Sequence, residues 1–156
     1  MRINFLKLIV SLIICQLAGF IGSLFTTPAI PEWYASLQKP SFTPPNWLFS
    51  PVWISLFLLM GVSLYLLWQT ASKKEAKLAL VLFSIQLFLN VLWSAIFFGL
   101  KSPMVAFIEI LVLWAAIFLT MTKSLKVAKA AGYLLLPYII WVSFAAVLNF
   151  FLWKLN

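Results

Sequence analysis

Apolar residues run along this chain in five long blocks, separated by short clusters of polar and basic residues. The blocks read as helices over about 4–26, 47–70, 78–100, 103–122 and 130–153. Each approaches or exceeds the roughly 20 residues that a helix needs to cross ~30 Å of hydrocarbon. None alternates polar and apolar positions as barrel strands do, so the spans are helical. The first block is longer than the apolar core of a signal peptide and no small-residue cleavage pattern follows it, so it too reads as a span. The connections after the second, third and fourth blocks are short, which makes sequential helices antiparallel neighbours. The expected fold is an all-α integral membrane protein: a single domain, 1–156, built as a five-transmembrane-helix bundle.

The connection between the first two helices is different. The stretch Trp33–Trp53 holds four of the eight prolines, at Pro40, Pro44, Pro45 and Pro51, and three of the eight tryptophans, at Trp33, Trp47 and Trp53. Proline fixes φ and removes a donor, and a Pro-Pro pair favours a stiff extended path. Residues 27–46 are therefore expected to form a structured Pro/Trp-rich capping loop, roofing a ligand pocket in the bundle.

Composition narrows the class. Hydrophobic residues make up 65% of the 156 and charged residues only 9%, against about 25% charged in a soluble domain. The net charge of +8 sits between apolar runs and reads as a topology signal rather than a nucleic-acid surface. Arg2, Lys7, Lys73, Lys74, Lys77, Lys123, Lys126 and Lys129 fall on one side, and Lys39, Lys101 and Lys154 on the other. Eight against three predicts a cytoplasmic N-terminus, with the aromatic loop and C-terminus on the opposite side.

Candidate chemistry is sparse. The chain has no histidine and no aspartate, and one cysteine, Cys15. That excludes Ser-His-Asp and Cys-His nucleophiles, the usual zinc sets and a disulfide, and no metal site is expected. What remains is aromatic. Trp93, Trp114 and Trp141 lie inside blocks rather than at their ends, and with Trp53 they suggest walls on which a large, flat, apolar ligand stacks. On helix three, Gln86, Asn90 and Ser94 recur at i, i+4, i+8; on helix five, Tyr138, Trp141, Ala145 and Asn149 share one face. Polar groups inside a span face protein or a cavity. Pro137 is expected to kink helix five. Glu109, the one acid within a span, leaves open a proton-coupled exporter. The pairs Ala95–Gly99 and Ala18–Gly22 have the small-xxx-small spacing of close helix packing.

These residues resemble the signature of the translocator protein family, also called tryptophan-rich sensory proteins (TspO/MBR). The resemblance runs through Trp33-Tyr34, Lys39-Pro40, Pro44-Pro45, Trp47, Pro51-Val52-Trp53 and Met60-Gly61. It continues through Asn90, Trp93-Ser94 and Phe97-Phe98-Gly99, and through Pro137-Tyr138, Trp141, Phe144-Ala145, Leu148-Asn149 and Trp153. It implies a porphyrin-binding five-helix bundle, usually a homodimer, acting in sensing, stress response or transport. Some members also take sterols or benzodiazepine-type molecules. Carried over residue by residue, the pocket is expected at Tyr34, Pro44, Phe49, Trp53, Phe57, Asn90, Trp93, Ile110, Trp114, Trp141 and Ala145. The dimer contact is expected at Ala95 and Gly99. No cofactor is obligatory; the porphyrin is ligand or substrate, and an alternative is its light-dependent degradation, with Trp53 and Trp141 as the catalytic candidates. The sterol motif departs from the family: Phe150 and Phe151 stand where a tyrosine is expected before the basic Lys154.

Overall fold

The computed structural model describes residues 3–71 and 74–156, and among them it is helical without strands. Arg2 and Lys73, two of the eight cations counted to one side, lie outside the described residues. The helices are α1 (Phe5–Ala29), α2 (Asn46–Gln69), α3 (Lys74–Ser94), α4 (Pro103–Val127), α5 (Lys129–Tyr133) and α6 (Leu136–Leu155). Together they make five segments long and apolar enough to cross a membrane. Asn4 starts α1 as its N-cap, its side chain accepting from the Lys7 N–H at 3.0 Å. α1 packs on α2 and α3, and α4 on α3 and α6.

Four boundaries correct the expectations. The capping loop does not begin at residue 27. α1 continues through Pro28, and a π turn follows over Ile30–Tyr34, in which the Ala35 N–H reaches the Ile30 carbonyl five residues back. Proline's fixed φ is already helical, and Pro31 enters the π turn where its missing donor is least costly. Only residues 37–45 are left irregular, and α2 begins at Asn46 directly after Pro45. The second correction is on the third span, which starts earlier, at Lys74, and closes in a π turn, Ala95–Gly99, where the Leu100 N–H meets the Ala95 carbonyl at 2.8 Å. The third is on the last span, which is not one kinked helix. It breaks at Leu134–Leu135, and Pro137 serves the first turn of α6, where no donor is needed. α4 also runs on past 122 to Val127.

The small-residue pairs pack within the chain. A Cβ on Gly22 would lie 3.2 Å from Ser94 Oγ, and one on Gly99 would lie 3.1 Å from the Phe25 ring. Ala95 and Gly99, the expected dimer contact, are thus the two ends of the π turn that receives Phe25 of α1.

Candidate functional site

The two π turns meet at the loop end of the bundle and interlock through their rings. Trp33 meets Phe97 edge-on at 5.4 Å, Tyr34 lies 5.8 Å from Phe98, and Trp93 stacks on Phe97 at 5.1 Å. A π turn widens the helix and re-aims the side chains after it, which is why such turns gather at functional sites. Beneath this cluster α2 meets α6 through rings: Phe49 lies 5.9 Å from Trp141 and Trp53 lies 6.2 Å from Tyr138. Rings of this size hold helices apart, and a cavity of about 420 Å³ opens between α1, α2, α3 and α6. That lies inside the range of roughly 300–1,000 Å³ typical of small-molecule sites.

Eight of the expected pocket residues stand on its wall: Tyr34, Phe49, Trp53, Phe57, Asn90, Trp93, Trp141 and Ala145. Three do not. Pro44 belongs to the irregular loop, none of whose residues 37–45 reaches the cavity. The roof is made instead by Ile30 and Tyr34 of the first π turn and by Asn46 and Phe49 of α2. The loop lies over α6, with Phe42 5.4 Å from Phe151 and Gln38 exchanging two hydrogen bonds with the Asn156 side chain, at 2.9 and 3.0 Å. Ile110 and Trp114 are also off the wall, because α4 contributes nothing to it. Ile110 is buried in the core beside Leu113 and Tyr138. Trp114, one residue around the helix from Leu113, is 37% exposed, stacks on Phe118 and donates to Ser143 Oγ at 2.8 Å.

Two asparagines fix the wall. Asn149 accepts from Trp93 Nε1 at 3.0 Å and donates to the Pro103 carbonyl at 2.8 Å, tying α3, α6 and the start of α4 together. Asn90 donates to the Tyr138 hydroxyl at 2.9 Å, and the Tyr138 ring carries Trp53. Trp141 Nε1, buried in the wall, has no acceptor among the described residues. Gln86 is buried about one turn below Asn90 and does not line the cavity. Glu109 is buried on the inner face of α4, also off the wall, with both carboxyl oxygens unpartnered among the described residues.

One wall was missed by sequence. Gln16, Gly19, Ser23, Thr26 and Thr27 of α1 all line the cavity. Their spacing, with Phe20, follows the same one-face rule that singled out Asn90 and Ser94.

A profile of the TspO/MBR family matches residues 11–154, nearly the whole chain, and covers every wall residue. The chain belongs to the TspO/MBR family. Tryptophan-rich protein TspO of Chlorobaculum tepidum is 48% identical over 144 residues, spanning 92% of this chain and 91% of that one. The TspO of Archaeoglobus fulgidus is 42% identical over 153 residues, 98% and 99% of the two chains. The Translocator protein of Homo sapiens is 37% identical over 143 residues, 90% and 85%. As a member of this family of translocator and sensory proteins, with five apolar spanning helices, the chain is an integral multi-pass membrane protein.

Proposed function

We propose that this TspO/MBR protein is a membrane receptor or translocator that binds porphyrins in the cavity of about 420 Å³ between α1, α2, α3 and α6. One observation carries the reading: three indoles, Trp53, Trp93 and Trp141, stand on the wall together with Phe49 and Phe57. A planar tetrapyrrole has the flat π-faces that such rings stack on, each aromatic pair adding roughly 0.5–1.5 kcal/mol beyond burial. The unpartnered Trp141 donor adds a group that a ligand acceptor would satisfy.

Titration of protoporphyrin IX against the purified protein tests it. Indole fluorescence is expected to quench saturably, and Trp53→Phe and Trp141→Phe to weaken binding by roughly two- to tenfold each. An unquenched wild-type protein, or the same affinity in both variants, defeats the reading.

The pairing of Trp53 with the Tyr138 ring at 6.2 Å favours a second reading. Indole and phenol are oxidisable groups, and this pair runs from the cavity into the core, so that in light-driven degradation it would donate an electron to the photoexcited porphyrin, with dioxygen as the oxidant. Loss of the porphyrin absorbance band under illumination, abolished in Trp53→Phe and Trp141→Phe while dark binding persists, marks that activity.

A further inference from the structure

The cavity is not closed on all sides. On α1, Phe20, Ser23 and Thr27 recur at spacings of three and four; on α2, Asn46, Ser50 and Ile54 recur at spacings of four. All six line the cavity, yet five are exposed and Ser23 is half-buried. A residue that is both wall and surface marks an opening, and these six face each other along two neighbouring helices. The cavity therefore opens sideways through a slot between α1 and α2. At 1.5 Å per residue, Asn46 to Ile54 gives the slot a length of about 12 Å, running inward from the loop end of the bundle. Its deep end is latched by Gln16, whose Nε2 donates to the Ile54 carbonyl at 3.1 Å.

Four of the six slot residues, Ser23, Thr27, Asn46 and Ser50, are polar, and none of the described residues lining the cavity is charged. An ionised carboxylate left unpaired in such an interior costs several kcal/mol. The first turn of α2 also has no side-chain cap, leaving backbone donors beside Asn46. We propose that the site selects planar apolar ring systems whose ionised groups are confined to one edge. The rings stack inside, and that edge lies in the α1–α2 slot, where its charges meet water and headgroups. This deepens the porphyrin reading and rests on it. Lys39 offers the competing exit: it sits outside the roof, its Nζ 4.7 Å from the Tyr34 ring centroid and 3.2 Å from the Leu37 carbonyl.

Charge placed on the slot decides. Protoporphyrin IX, a dicarboxylate at neutral pH, and its uncharged dimethyl ester are titrated at low salt, by porphyrin absorbance, into wild type, Ser50→Lys and Ser50→Glu. Relative to the ester, Ser50→Lys is expected to tighten the acid roughly two- to fivefold and Ser50→Glu to loosen it as much. A folding effect would move both ligands alike, so the acid-to-ester ratio is free of it. Thr27→Lys, on the facing helix, repeats the test. Binding of both ligands with no acid-specific shift at Ser50 or Thr27 overturns the slot and leaves the porphyrin reading standing. So does selective loss of the acid in Lys39→Met, which sends the carboxylates past the roof. Failure of both ligands to bind wild type overturns both.

Discussion

At the end of the bundle away from the loop, α1 and α2 touch through their backbones: a Cβ on Gly61 would lie 2.9 Å from Leu12 Cα and 3.3 Å from the Ser11 carbonyl. At the loop end the same two helices stand on opposite sides of an open slot, with Phe49, Trp53 and Phe57 projecting from α2 into the cavity. The far end adds polar glue, Ser63 Oγ donating to the Ala131 carbonyl at 2.8 Å, while the loop end leaves Trp141 Nε1 without an acceptor. In a bilayer, where hydrocarbon gives helices no hydrophobic reason to associate, small residues and interhelical hydrogen bonds do the joining. Large rings do the reverse: they keep backbones apart and leave room between them. One pair of helices is thus a joint at one end and a binding site at the other, and the switch from glycine to aromatic along α2 makes the difference.

The largest expected effect comes from spoiling the joint. Gly61→Ala gains up to ~1 kcal/mol of helix propensity. It also drives a methyl against backbone that cannot step aside, an overpacking cost of about 1–3 kcal/mol or more. The midpoint of thermal unfolding in detergent is expected to fall. Gly19→Ala, at the cavity end, meets only the Phe57 ring, at 2.7 Å, and that ring has the cavity to move into. It is expected to cost less stability and to weaken ligand binding instead. If the two alanines destabilise equally, the ends do not differ as described.

The tie across the cavity wall ranks next. Asn149→Leu removes the acceptor of the Trp93 indole and the donor to the Pro103 carbonyl; the carbonyl keeps its place in the α4 ladder, but the Trp93 donor is left unmatched. A loss of about 1–3 kcal/mol follows, together with weaker porphyrin binding as Trp93 is released. Ser143→Ala, which removes the partner of the exposed Trp114 indole, is expected to cost nearer the ~0.6 kcal/mol average for interhelical bonds in membranes. Equal losses would mean that the wall contact is no more than ordinary glue.

The five spans were legible because apolar length is a direct physical requirement of the bilayer. The wall residues on α3 and α6 were legible because aromatic and polar positions there repeat at helical spacing, whereas Phe49 and Phe57 of α2 came from the family resemblance. The loop was overread. Thr26-Thr27-Pro28 looks like a turn, but a proline's φ suits a helix, and the π turn absorbs the missing donor of Pro31 without breaking the rod. The α1 wall was overlooked because its members are small: Gly19, Ser23 and Thr27 carry little signal beside tryptophan. Pro137 was expected to kink one continuous helix, whereas the chain stops at Leu134–Leu135 and Pro137 opens a new helix, because a proline is tolerated best in a first turn. On α4, Trp114 drew attention as an indole inside a span, and the resemblance added it and Ile110 to the pocket; the inner face is set by Ala106, Ile110, Leu113 and Ile117, and Trp114 is turned about 100° from Leu113.

That placement of Trp114 makes the sharpest small-effect test. Trp114 and Trp141 are both indoles within spans, yet one stacks on Phe118 at a 37% exposed surface and the other meets Phe49 on the cavity wall. Trp114→Phe is expected to leave the porphyrin affinity, read by absorbance, unchanged, because the ring touches nothing on the wall. Trp141→Phe carries the loss described above. Were Trp114→Phe to shift the affinity as far as Trp141→Phe does, α4 would belong to the site. The ring-propped space between α1, α2, α3 and α6 would then be only part of it, and the contrast between a closed joint and an open end would no longer locate where the ligand binds.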